Sequence, residues 1–180
     1  DWVNSFGPFL KNIPLVFWMF FISSLILFKK MLNKIRKKDS WILTGIFALF
    51  LIGLIFSRYS SSSIFNGDNF ISKSFYYVTT LLLIGSLIYY YFQYHKKKDS
   101  GFEKIKFEYL ILLVLFVFTV FTARSGVRLV MVLGPISSIF IGYLIIESFS
   151  KFKKTKDETG KMVLGILLIL ILLASIFSFY

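Results

Sequence analysis

The sequence predicts an all-α membrane protein, a polytopic bundle of six transmembrane helices with both chain ends outside. Three observations lead there. Hydrophobic residues fill 57% of 180 positions, at a mean hydropathy of +0.76. Six apolar runs approach the roughly 17–25 residues that a spanning helix needs. The basic residues gather in alternate connections between those runs. A water-soluble domain of this size has no interior large enough for so much apolar side chain.

The runs are residues 13–28, 41–57, 75–93, 107–122, 127–149 and 162–180. None alternates with period two, and within a bilayer only a helix satisfies its own backbone segment by segment. The first connection, 29–40, holds Lys29, Lys30, Lys34, Arg36, Lys37 and Lys38. The third, 94–106, holds Lys96, Lys97, Lys98, Lys104 and Lys106. The fifth, 150–161, holds Lys151, Lys153, Lys154, Lys156 and Lys161. Together these are sixteen of the 21 basic residues. The positive-inside rule therefore assigns these three connections to the cytoplasm, in a multi-pass protein of the plasma membrane. The net charge of +12 is then a topology signal that also meets anionic lipid, and nucleic acid is excluded as a partner.

The second connection, 58–74, carries a serine run and Asn66-Gly67, both turn signals. The fourth is so short that the fourth and fifth segments form a tight hairpin. Trp2, Trp18, Trp41, Tyr59, Tyr89, Tyr90, Tyr91 and Tyr94 fall near segment ends and read as interfacial anchors. The chain starts at Asp1, without a basic leader, and stops at Tyr180 inside an apolar run, so it reads as part of a longer polypeptide.

Composition also excludes chemistry. There is no cysteine and only one histidine, His95, which removes thiolate and multi-histidine metal sites. No paired carboxylates, Ser-His-Asp set or glycine-rich phosphate loop occurs, so no catalytic or metal-ligating residue is assigned. Asp68 is alone with Asp1 on the outer side, too few carboxylates for a divalent cation. Glu147, near the inner end of the fifth segment, has Lys151 four residues on as a partner. His95, beside Lys96, is expected in solvent.

The fifth segment has more organisation than hydrophobicity alone. Arg128 lies at its outer end, where a guanidinium is costly in lipid: roughly 2.5 to 3.5 kcal/mol at mid-membrane, less at the interface. At helical spacing Arg128 shares a broad face with Val132, Pro135, Ser138, Ile139 and Gly142, with Gly134 and Ser137 alongside. Such small residues let a neighbouring helix approach, and the proline deletes a backbone hydrogen bond. Arg128 is read either as a binding group for an anionic partner or as a snorkelling anchor; Arg124 is a second candidate, read first as a headgroup partner.

The run Ala123-Arg-Ser-Gly-Val-Arg-Leu-Val-Met-Val-Leu-Gly-Pro-Ile136 resembles a stretch of the catalytic subunit of oligosaccharyltransferase, of the archaeal single-subunit type. Asp1-Trp-Val-Asn-Ser-Phe-Gly-Pro8 is similar to the segment following that family's external-loop glutamate. Phe56-Ser-Arg-Tyr-Ser60 and Asn66-Gly-Asp-Asn-Phe-Ile71 are similar to archaeal members. The resemblance implies transfer of an oligosaccharide from a polyprenyl (pyro)phosphate carrier, such as dolichyl phosphate, to the asparagine of Asn-X-Ser/Thr. It implies Arg128 as the group meeting the carrier phosphate, with the acceptor polypeptide and membrane lipids as further partners. It also implies a divalent metal (Mn or Mg), with ligands and a soluble C-terminal domain outside this chain, so that the chain alone is not expected to be active. Four helices precede the arginine helix here, where familiar members have two after the glutamate loop. Two other readings are a different polyprenyl-phosphate-dependent membrane glycosyltransferase and a non-enzymatic lipid flippase or transporter.

Overall fold

A computed structural model describes residues 15–57, 63–125 and 130–177. Among them the architecture is all-helical, without a strand. Six helices follow in order: α1 Leu15–Met31, α2 Lys37–Phe56, α3 Phe70–Lys96, α4 Phe107–Ser125, α5 Val130–Lys154 and α6 Glu158–Phe177. A 3₁₀ turn, Leu32–Lys34, joins α1 to α2. The six apolar runs thus each lie on a helix. Two of these helices, α2 and α3, are both long and apolar enough to cross a membrane, while the apolar stretch Phe107–Thr122 of α4 is shorter.

The helices overrun the expected bounds, chiefly at the lysine-rich ends. α2 starts at Lys37 rather than Trp41, and α5 runs to Lys154 rather than Phe149. Lysine is a good helix former, so polar flanks continue the helix after the apolar run stops. The second connection departs as far, because α3 starts at Phe70 rather than Phe75. The Asn66 side chain accepts from the amides of Asp68 and Asn69, at 2.9 Å each, and Gly67 takes a φ of 90°. Asn69 then caps the helix by accepting from the Ser72 amide at 2.8 Å. The other end of α3 closes with the Asp99 amide on the Tyr94 carbonyl and the Lys98 amide on that of His95. That pair of bonds needs a left-handed residue, and Lys98 supplies it at φ 52°.

Neighbouring helices run up and down. Arg36 at the start of α2 meets Tyr94 at the end of α3, while Gly53 near the end of α2 meets Thr79 early in α3. Phe116 of α4 packs on Phe140 of α5, and Phe152 of α5 lies against Gly165 of α6. All three lysine-rich connections therefore share one pole. The helix ends flanking residues 126–129 lie at the other, since Phe121 packs on Phe50 and Tyr76.

The core is aromatic. Phe28 and Phe47 stack with centroids 4.2 Å apart and planes 9° from parallel. Phe116 contacts Phe20 at 5.4 Å, Phe140 at 4.9 Å and Phe47 at 6.1 Å, joining α1, α2, α4 and α5. A second, smaller cluster sets Met19, Leu144 and Ile171 together and ties α6 to the bundle. The outer surface is apolar as well: Leu81, Phe118 and Ile169 are each more than half exposed. Apolar side chains outside as well as inside are what a helix surrounded by lipid presents.

The described part of the small-residue face of α5 does not turn inward. Pro135, Ser138 and Ile139 face outward, and a Cβ built on Gly142 meets nothing within 4 Å. α5 instead turns Phe140, Leu144 and Ser148 inward, with Ile136, Tyr143 and Glu147 beside them. Bulkier side chains make more van der Waals contacts, and those decide which face packs where lipid offers no hydrophobic contrast. The tight crossing lies between α2 and α3, where a Cβ on Gly53 would stand 2.1 Å from Thr79 Oγ1. That hydroxyl donates to the Phe75 and Tyr76 carbonyls and holds its rotamer.

Gly53→Ala is expected to destabilise the bundle by about 1–3 kcal/mol through overpacking. Thr79→Ala in the same chain should recover part of the loss, since the Thr79 Cβ itself stands 2.9 Å away. Thermal unfolding in detergent measures both, and a Gly53→Ala midpoint equal to wild type sinks the account.

Candidate functional site

Arg128 lies outside the described residues. Arg124 falls in the last turn of α4, with its side chain outside them too. The helix ends on either side, Ser125 and Val130, stand at the pole opposite the lysine clusters. The polar chemistry that the described residues bring together is at the lysine-rich pole, in two clusters the sequence did not announce.

The first joins α2 to α3. Tyr94 is 2% exposed, and its hydroxyl donates to Asp39 Oδ2 at 2.8 Å. It also accepts from the Arg36 amide at 3.0 Å and from Arg36 Nε at 3.3 Å. Arg36 Nε reaches the same carboxylate oxygen at 2.9 Å, and Nη2 completes an ion pair with it at 2.9 Å. The Tyr94 hydroxyl first, and Asp39 next, hold the Arg36 guanidinium above its ordinary pKa. Phe102 packs edge-on against the Tyr94 ring at 5.4 Å, and Gly101 leaves room for that ring. Tyr94 is therefore a buried network member and not an exposed interfacial anchor. Asp39, 7% exposed, explains the difference: a buried carboxylate needs donors, and a tyrosine in the last turn of the neighbouring helix α3 supplies one. An aspartate alone among six cations was the available signal. Trp41, by contrast, is 55% exposed with Lys29 Nζ 3.3 Å from its ring centroid.

The second cluster joins α1 to α5. Glu147 Oε2 pairs with Lys30 Nζ at 2.5 Å, not with Lys151 on its own helix. Glu147 sits on the inward stripe of α5, next to buried Ser148, whereas Lys151 is exposed. The cation there comes from α1, whose Lys30 reaches across to it. The Ser23 hydroxyl, fully buried, donates to the Phe140 carbonyl and ties the same two helices two turns further in. Hydrogen bonding to Glu147 raises the Lys30 pKa above its ordinary value. A lysine raised in the fold stabilises it below its unfolded pKa, and loses that contribution as pH climbs through the folded one. The tie is thus constant across neutral pH. His95 is exposed, as expected, with its ring stacked on Tyr91 at 6.2 Å.

Among the described residues no three histidine, cysteine or acidic side chains come together. The resemblance puts the ligands of its divalent metal outside this chain, and no step through a metal is derived from these residues.

Tyr94→Phe should lower stability by about 1–2 kcal/mol, because Asp39 stays buried with one donor fewer. The melting temperature reads this at about 2–4 °C per kcal/mol, and exposed Tyr89→Phe is the control. Equal shifts for the two variants would remove the network from the account. For the second cluster, a double-mutant cycle of Lys30→Met and Glu147→Met is expected to give a coupling of about 1 kcal/mol, since both partners keep some solvent. Strict additivity would show that the pair contributes nothing.

No family model matches the chain, and neither curated proteins nor solved structures give a match.

Proposed function

We propose that this chain is the late transmembrane part of an oligosaccharyltransferase of the archaeal single-subunit type, with Arg128 as the group that holds the carrier phosphate. The observation that carries the reading is the run Ala123–Ile136, which puts an arginine between two apolar helices and a proline one helical turn or two beyond. In this reading all six helices cross the bilayer, the lysine-rich pole is cytoplasmic, and Arg128 stands at the outer interface. Support for the membrane part comes from the apolar outer surface, the two spanning-length helices and the collection of lysines at one pole.

The chemistry asked of Arg128 is binding and orientation. A guanidinium fork donates to two phosphate oxygens at once and remains charged at any pH the membrane meets. At the outer interface it faces water for its charge and lipid for its stem, the two environments that a polyprenyl phosphate also occupies. Glycan transfer itself needs groups outside this chain. The transporter reading has less support: the ionisable clusters of the described residues lie at the pole, whereas ion-coupled carriers put such groups near the midplane.

In the full-length protein, Arg128→Ala should weaken carrier use roughly 10- to 100-fold, the effect of losing a charged hydrogen-bond pair, with membrane insertion intact. Arg128→Lys should fall between. The measurement is transfer from a polyprenyl-linked oligosaccharide to a sequon peptide, titrated in carrier. An inserted Arg128→Ala protein with wild-type carrier dependence would overturn the assignment.

A further inference from the structure

A groove of about 480 Å³ runs between the end of α5 and the start of α6, at the lysine-rich pole. Its apolar part is walled by Met162, Ile166 and Ile169, with the Phe152 ring on the α5 side. Gly165 keeps it open: a Cβ there would already touch Phe152 at 3.3 Å, and anything larger would fill the space. The mouth is charged. Glu158 and Lys161 line it, both exposed, and Lys161 Nζ stands 5.4 Å from the Phe152 centroid. No ion pair joins Glu158 to Lys161 among the described residues, so the mouth presents one anion and one cation side by side.

The spacing gives the groove a length. Glu158, Met162, Gly165 and Ile169 recur at the interval of one helix face. From Met162 to Ile169, the apolar part, the helix rises about 10 Å. One leaflet of hydrocarbon is about 15 Å deep, so the trough takes the upper two thirds of one lipid tail. Charge at the headgroup level above such a trough is complementary to a phospholipid. The pairing of charges narrows the headgroup, because Lys161 complements a phosphate and Glu158 an ammonium.

We propose that this groove binds a single glycerophospholipid of the cytoplasmic leaflet whose headgroup carries a phosphate and a primary amine. The phosphate lies on Lys161, the amine on Glu158, and one acyl chain runs over Phe152 towards Ile169. The site rests on the membrane-embedded reading, and is separate from Arg128, which is assigned to the opposite pole.

Native mass spectrometry of the full chain, released from detergent with added dioleoyl phosphatidylethanolamine, phosphatidylcholine or phosphatidylglycerol, tests it. Wild type should retain one phosphatidylethanolamine about tenfold more tightly than either of the others. Lys161→Gln should weaken all three about three- to tenfold, Glu158→Gln should remove the preference for the amine, and Gly165→Leu should abolish occupancy. The two mouth substitutions are on exposed side chains, so they report even where Gly165→Leu disturbs packing. Equal retention of the three lipids, or wild-type retention by Lys161→Gln, overturns the proposal. Carbonate extraction of the same membranes separates the two failures. A chain that stays in the membrane but shows no preference loses only the groove; one that is extracted loses the membrane reading as well.

Discussion

Four helices meet at the ring of Phe116, and the bundle depends on that junction. Phe20, Phe47 and Phe140 reach it from α1, α2 and α5, helices far apart in the chain. In a lipid surrounding, burying an apolar ring gains little over leaving it in hydrocarbon; what it gains is contact density and geometry. Rings 4.9–6.1 Å apart and inclined to one another fill the centre without needing a polar partner. The Ser23 bond between α1 and α5 takes its position from this centre. Ser23 reaches the Phe140 carbonyl because Phe20 has already brought α1 against α5.

The polar contacts then fix what the rings leave free. Rings tolerate sliding along a helix axis, whereas an ion pair or a hydroxyl bridge sets an axial position. Lys30–Glu147 sets α1 against α5, and Arg36–Asp39–Tyr94 sets α2 against α3. Both stand at the pole where water is near enough to share the cost of the charges. The deeper part of the bundle relies on shape, and the Gly53–Thr79 crossing is its tightest point.

Hydrophobic runs made the helices legible, because a run of spanning length has no other way to satisfy its backbone. Their ends were less legible. Phe70–Ser74 look like loop because two serines and a lysine fall among them just after Asn69, yet the Asn66 and Asn69 side chains start the helix there. Glu147 shows how local spacing misleads: a cation four residues along the same helix was visible, and one 117 residues away in another helix was not. Tyr94 was misplaced for a related reason, since its sequence neighbours are exposed lysines and its true neighbours are Asp39 and Phe102. Of the small-residue face of α5, the described Pro135 and Ser138 lie exposed, while the bulky Phe140 and Leu144 beside it turn inward. Arg128 was legible only as a charge in an expensive place. Its meaning came from a resemblance, and the residue itself lies outside the described part of the chain.

The two locks on α2 and α3 stand near opposite ends of the same pair, one at Asp39–Tyr94 and one at Gly53–Thr79. They join the two helices that are each long and apolar enough to cross a bilayer. A pair closed at both ends is a hairpin complete in itself, with its own register and no need of α1 or α4 to define it. During synthesis such a hairpin can form as soon as Tyr94 has left the ribosome, before α4 to α6 exist. In the proposed topology the lysines at its base stay on the cytoplasmic side and only its tip crosses. The remaining helices then have a finished surface to assemble on, in the order in which the chain delivers them.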